Sequence, residues 1–241
     1  MWSADPLHFY KRRKCLRMEN YKAFLFDLNG TMIDDMAYHI NAWYELLNGM
    51  GVTISLEETK LQCYGKNHEL LERIFPGRFS EEEKQKISIE KEKAYQQGFR
   101  PNLKLLNGLD IFFEMAHRDN IQMAIGSAAI TMNIDFVLDG LNIRKYFNVI
   151  VSADDVSMSK PHPETFLKCA EQLGVDPVEC LVFEDSPKGT EAAMNAGMDC
   201  VVITTMHQPE EFDPVNIISF ADDFSGNLYE SINPVKKVHD R

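Results

Sequence analysis

Short apolar runs alternate with amphipathic stretches along most of this chain. Phe24-Leu25-Phe26 form an unbroken apolar run that stops at Asp27, with Gly30 shortly after. Such a run predicts a strand buried on both faces, and the glycine supplies a turn that other residues make at a cost. The alternation is then interrupted, because residues 34–106 carry helical patterns only. Asp34 is placed to cap a helix reaching Met50, with Ile40, Trp43, Leu46 and Leu47 at helical spacing. Ser55 opens a short helix to Gln62, residues 64–67 read as a loop, and a further short helix over 68–75 stops at Pro76-Gly77. Ser80-Glu81-Glu82-Glu83 is a capping box that starts a polar helix to about Gln97.

From residue 108 strand and helix patterns alternate again. Strands are predicted over 121–126, 147–151, 180–183, 200–203 and 217–220, and helices over 108–117, 131–141, 163–173 and 187–196. This rhythm predicts an α/β fold, a doubly wound parallel sheet with helices on both faces. The expected organisation is a core of residues 20–33 and 107–241, with a small helical cap domain inserted over residues 34–106. Residues 1–19 precede the first strand as a loose extension, and Met18 is a candidate start of the folded chain.

Composition narrows the picture. The 241 residues are 44% hydrophobic and 26% charged, as in ordinary globular proteins, and no apolar run has the length of a membrane span. A formal net charge of −12 argues against nucleic acid and anionic membranes as partners. An anionic substrate would then need a local positive patch or a metal ion. The basic run Lys11-Arg12-Arg13-Lys14 lacks the apolar core of a signal peptide. The five cysteines have no metal-like spacing and read as reduced thiols of a cytoplasmic protein, and a monomer is taken as the default.

Four polar positions follow the buried-strand patterns: Asp27, Ser127, Lys160 and the pair Glu184-Asp185. Taken singly, an Asp after an apolar run is more often a turn or capping residue, and a Ser there is usually a cap. In a doubly wound sheet, however, all four converge at one edge. Together they suit phosphoryl transfer. Carboxylates from two strands can hold Mg²⁺, which takes one or two protein carboxylates plus phosphate oxygens. Asp27 can then attack phosphorus, while Ser127 and Lys160 hold the phosphate.

These segments resemble the haloacid dehalogenase superfamily, in particular its β-phosphoglucomutase-like branch. Asp27-Leu28-Asn29-Gly30-Thr31, Ser127, Lys160 and Glu184-Asp185 with residues 186–193 match its four motifs in order, and Tyr38-His39-Ile40-Asn41-Ala42-Trp43 is similar to a motif of the branch's cap. The resemblance implies Asp27 as nucleophile and metal ligand, the backbone carbonyl of Asn29 as a further ligand, and Glu184 and Asp185 as the acidic side of a Mg²⁺ site. It implies phosphate or substrate contacts from Thr31, Ser127, Ala128 and Lys160, and from the cap residues His39, Trp43, Lys66 and Lys91. Without it, His39 and Trp43 read as helix packing, and Lys91, within Glu90-Lys91-Glu92-Lys93, as a solvated face.

Asn29 departs from the pattern, since phosphatases and mutases of this family carry an acid–base Asp there. An amide cannot exchange a proton at neutral pH, and that loss typically costs about 10²–10⁴ in rate. Ala129 and Thr131 also stand where the branch's mutases tend to carry Ser and Asn. The expected activity is a phosphatase acting on a small phosphorylated metabolite such as a sugar phosphate, with a sugar-phosphate mutase and a catalytically weak phospholigand binder as alternatives.

Overall fold

A computed structural model describes residues 21–233. The expectations for residues 1–19, including the Met18 start and Cys15, lie outside the described residues.

Six strands form one parallel sheet: β1 (Ala23–Phe26), β2 (Gln122–Gly126), β3 (Val149–Val151), β4 (Cys180–Glu184), β5 (Asp199–Ile203) and β6 (Ile217–Ala221), in the order β3-β2-β1-β4-β5-β6. The order reverses at β1, so β2 and β4 flank it, and a doubly wound sheet opens its binding crevice at that reversal.

Successive side chains of a strand point to opposite faces, and β1 is apolar on both. Phe24 and Phe26 enter an aromatic layer beneath α5 (Leu109–Arg118), α6 (Thr131–Gly140) and α9 (Leu228–Ile232), in which Phe26 stacks on Phe183 at 4.7 Å. Ala23 and Leu25 enter the opposite layer beneath α7 (Glu164–Leu173) and α8 (Pro187–Asn195). Each large side chain removed from water in these layers contributes about 1.5–3 kcal/mol, so β1 is pinned from both sides.

Four helices lie between β1 and β2: α1 (Met36–Gly49), α2 (Leu56–Gln62), α3 (Asn67–Ile74) and α4 (Glu81–Phe99). Helices α1 and α3 share an apolar cluster of Trp43, Leu47, Leu70 and Leu71, closed by Phe75, with Ile87 of α4 packed against it. The Ser80 capping box forms as expected and α4 runs two residues further, to Phe99.

At the start of α1 the expectation fails. Asp35, not Asp34, occupies the N-cap position, and its side chain makes no capping bond. It is fully buried, accepting hydrogen bonds from Asn29 and Tyr95, while Asp34 is exposed. Two adjacent aspartates look alike in sequence; the buried tyrosine hydroxyl of α4 decides which one turns inward. The short helix α9 had no counterpart among the predicted elements.

Candidate active site

Strand register builds the site. Phe26 pairs with Ile125 on one side and Phe183 on the other, so the next residues, Asp27, Gly126 and Glu184, come level at the sheet's carboxyl edge. Ser127 follows β2, and Lys160 reaches in from the loop after β3. Its Nζ lies 2.6 Å from Asp27 Oδ1, 2.7 Å from Glu184 Oε1 and 3.1 Å from the Gly126 carbonyl. All of these groups except the Gly126 carbonyl line a cavity of about 420 Å³, which α1 to α3 border from the other side. Lys91 and Glu92 of α4 line it as well, and its volume is within the range of small-molecule sites, roughly 300–1,000 Å³.

The carboxyls divide into two kinds. Both oxygens of Glu184 are engaged: Oε1 accepts from Lys160, and Oε2 accepts from the backbone N–H groups of Asp185 and Ser186 and from the Ser186 hydroxyl, at 2.9–3.0 Å. Glu184, expected on the metal's acidic side, lines the cavity and braces Lys160 and the turn that carries Asp185. All three carboxyls line the cavity, and Asp27 and Asp185 are the less fully hydrogen-bonded of them. Among the described residues Asp185 accepts a long bond from Thr31 Oγ1, at 3.2 Å, and so Thr31, expected at the phosphate, turns its hydroxyl toward this carboxyl. Gly30, at φ +77°, passes so close that a Cβ would sit 2.1 Å from Asp185 Oδ2.

Electrostatics mark the same division. Burial pushes Asp27 up to about 6, against the lowering pull of Lys160 and with Glu184 adding to the rise. Asp185 is pushed well above the ordinary carboxyl range by burial and by the charges of Glu184 and Asp27. For Lys160 burial works the other way, but Asp27 and Glu184 outweigh it and hold the ammonium above its ordinary value. Three carboxyls share one ammonium, so full ionisation leaves two uncompensated negative charges in a buried place. That deficit fits one divalent cation held by Asp27, Asp185 and the Asn29 backbone carbonyl. Among the described residues no group of three or more His, Cys, Asp or Glu forms a complete protein cage. Mg²⁺ does not need one, because it keeps waters and takes phosphate oxygens.

The expected residues of the insert also come to the cavity. Lys91 is 2% exposed, and its Nζ lies 2.6 Å from His39 Nδ1 and 3.0 Å from Glu92 Oε1, so it is no solvated face. Burial pushes Glu92 up, but Lys91, His39 and the amides of Asn67 and Asn133 hold its carboxyl below the ordinary value. Trp43 lines the cavity from within the apolar cluster of the insert. Lys66 lines it too, with its Nζ donating to the Val156 carbonyl. Ala128 is an exposed part of the wall, whereas Ser127 is buried, its Oγ accepting from Ala129 N. Asn29 lines the cavity and donates its side-chain N–H to Asp35 at 2.5 Å.

Sequence reasoning missed Asp35, Tyr64 and Lys188. The Lys188 ammonium sits 3.5 Å from the centre of the Tyr64 ring at the cavity wall, joining the insert to α8. Lys188 stands inside the last motif; its neighbour across the cavity is set by how the insert docks, which no local pattern encodes.

Comparison with known proteins shows the family. Residues 24–203 match the haloacid dehalogenase-like hydrolase family. The chain is 31% identical over 183 residues to the fructose-1-phosphate phosphatase YqaB of Escherichia coli, covering 76% of this chain and 96% of that one. A family IA haloacid dehalogenase hydrolase of Entamoeba histolytica superposes with a TM-score of 0.78 at 28% identity, over 88% of this chain and 97% of the other. The β-phosphoglucomutase of Clostridium difficile gives 0.74 at 29% identity, over 84% and 91%. This chain is therefore an enzyme of the haloacid dehalogenase-like hydrolase family.

Proposed function

We propose that the protein is a Mg²⁺-dependent phosphohydrolase of a small phosphorylated metabolite, with a sugar phosphate as the leading class. The observation that carries this reading is the site's charge imbalance: Asp27, Glu184 and Asp185 line one cavity, and among the described residues Lys160 is the cation ion-paired with them. Bound between them, Mg²⁺ would neutralise carboxylate and phosphate charge and let an anionic nucleophile approach an anionic ester.

Asp27 supplies the nucleophile. A carboxylate oxygen forms the new O–P bond as the ester O–P bond breaks, and the leaving oxygen takes its proton from solvent. Water then cleaves the acyl phosphate, which returns the carboxylate and releases phosphate. Lys160 holds Asp27 Oδ1 in place and brings positive charge to the transferring group. Ser127, with Ala128 beside it, lies where phosphate oxygens would be held. Helices α1 to α4 act as a cap whose His39, Trp43, Lys66 and Lys91 face the rest of the substrate and exclude water. The chemistry suits a cytoplasmic metabolite enzyme.

Similarity to a β-phosphoglucomutase supports a second reading, a sugar-phosphate mutase. One panel separates the readings: phosphate release from a set of phosphometabolites, with Mg²⁺ and with chelator, by the wild type and by Asp27→Asn. A phosphohydrolase releases phosphate only with metal and only with Asp27. A mutase interconverts sugar phosphates without net phosphate and is stimulated by a bisphosphate. Binding without turnover of any substrate would leave a phospholigand binder.

A further inference from the structure

The residue after next from Asp27 is an amide, and the structure shows what holds it. Asn29 Nδ2 lies 2.5 Å from Asp35 Oδ2 and 3.0 Å from His39 Nε2. A carboxylate only accepts hydrogen bonds, so the amide must turn its nitrogen, not its oxygen, toward Asp35. The phenol of Tyr95 donates to the same Oδ2 at 2.5 Å. Asp35 is fully buried, does not line the cavity, and its Oδ1 has no hydrogen-bond partner among the described residues. Asn29 does line the cavity. With its nitrogen held from behind, the amide presents its oxygen as the end the cavity meets. That oxygen can orient an attacking water or a substrate hydroxyl, but it cannot take their proton.

We propose that Asp35 is the positioning residue of this site: Asn29 and Asp35 act as one carboxyl–amide pair, with the carboxyl on the buried side, so that position 29 accepts a carboxyl only if position 35 becomes an amide. In Asn29→Asp an oxygen replaces Nδ2 and meets the buried carboxyl oxygen of Asp35 at the same short separation, with the Tyr95 hydroxyl and His39 Nε2, 3.4 Å from Asp35 Oδ2, as the groups beside the pair and solvent excluded from Asp35. Exchanging both residues restores the pair with its polarity reversed: Asn at 35 donates to Asp at 29 and still accepts from Tyr95. The inference rests on the phosphohydrolase reading only for its activity arm.

The test is a double-mutant cycle of Asn29→Asp and Asp35→Asn on the full chain. Thermal unfolding is followed, together with phosphate release from p-nitrophenyl phosphate in Mg²⁺. Asn29→Asp alone is expected to unfold roughly 5–10 °C below the wild type, and to gain less than about threefold in turnover. The double variant is expected to recover most of the unfolding temperature, and to gain at least about tenfold in turnover because a carboxyl now faces the cavity. Additive unfolding shifts, with Asn29→Asp as stable as the wild type, overturn the pairing whatever the activities are. Coupled unfolding shifts with no phosphate release from any variant leave the pairing standing and count against the phosphohydrolase.

Discussion

Gly189 lies in the first turn of α8, where replacing glycine by alanine ordinarily stabilises a helix by about 1 kcal/mol. Here the opposite is expected. A Cβ at Gly189 would sit 1.8 Å from Glu184 Oε1 and 1.9 Å from its Cδ, so the carboxyl must move by more than an ångström. It has nowhere to go without breaking bonds, because Lys160 holds one oxygen and three donors hold the other. Charge-assisted hydrogen bonds of this kind contribute about 1.5–3 kcal/mol each. Losing two, offset by the helical gain, leaves Gly189→Ala less stable by about 2–5 kcal/mol, or roughly 5–15 °C in unfolding temperature. Turnover should fall further, by at least about a hundredfold, because Lys160 loses its brace beside Asp27. Circular dichroism melts and p-nitrophenyl phosphate turnover measure the two effects. A variant that melts at or above the wild-type temperature and keeps its rate within a factor of two would refute the role given to Glu184.

Other outcomes follow from the same geometry. Asp27, raised from 3.8 to about 6, binds its proton more tightly in the folded state, so its stabilising contribution is present below about pH 4 and lost as pH rises through 6. The loss is about 3 kcal/mol without metal, and Mg²⁺ should therefore raise the melting temperature more at pH 7 than at pH 5; an equal rise at both would contradict a site at these carboxyls. Glu69 of α3 accepts from Ser159, the neighbour of Lys160, at 2.8 Å and so ties the insert to the sheet edge. Glu69→Ala should raise KM for p-nitrophenyl phosphate about fivefold, the equivalent of one hydrogen bond, with a smaller change in kcat; steady-state kinetics with KM unchanged would remove that tie from substrate capture.

Much of this was legible in the sequence because the signals are local. The apolar run of β1 ending at Asp27, the returning strand–helix rhythm and the capping box at Ser80 each fix an element by its own residues, and sheet topology then brings Asp27, Ser127, Lys160 and Asp185 together. What was not legible depends on partners far along the chain. The Glu90-Lys91-Glu92-Lys93 stretch has the composition of a solvated face; His39, Asn67 and Asn133 are what make Lys91 and Glu92 a buried pair. The same holds for Asp35, whose inward turn is set by Tyr95, 60 positions away. Glu184 and Asp185 are adjacent and chemically alike, yet β4 ends between them, so one accepts from Lys160 and the other from Thr31.

The central claim is that Asp27 carries the phosphoryl group during turnover. Acid quenching in the steady state, followed by proteolysis and mass spectrometry, tests it directly. The account predicts one phosphoryl group on the peptide containing Asp27, lost when the enzyme is diluted into substrate-free buffer before the quench and absent from Asp27→Asn. Phosphate release at the wild-type rate by Asp27→Asn, with no adduct on that peptide in either protein, would contradict it.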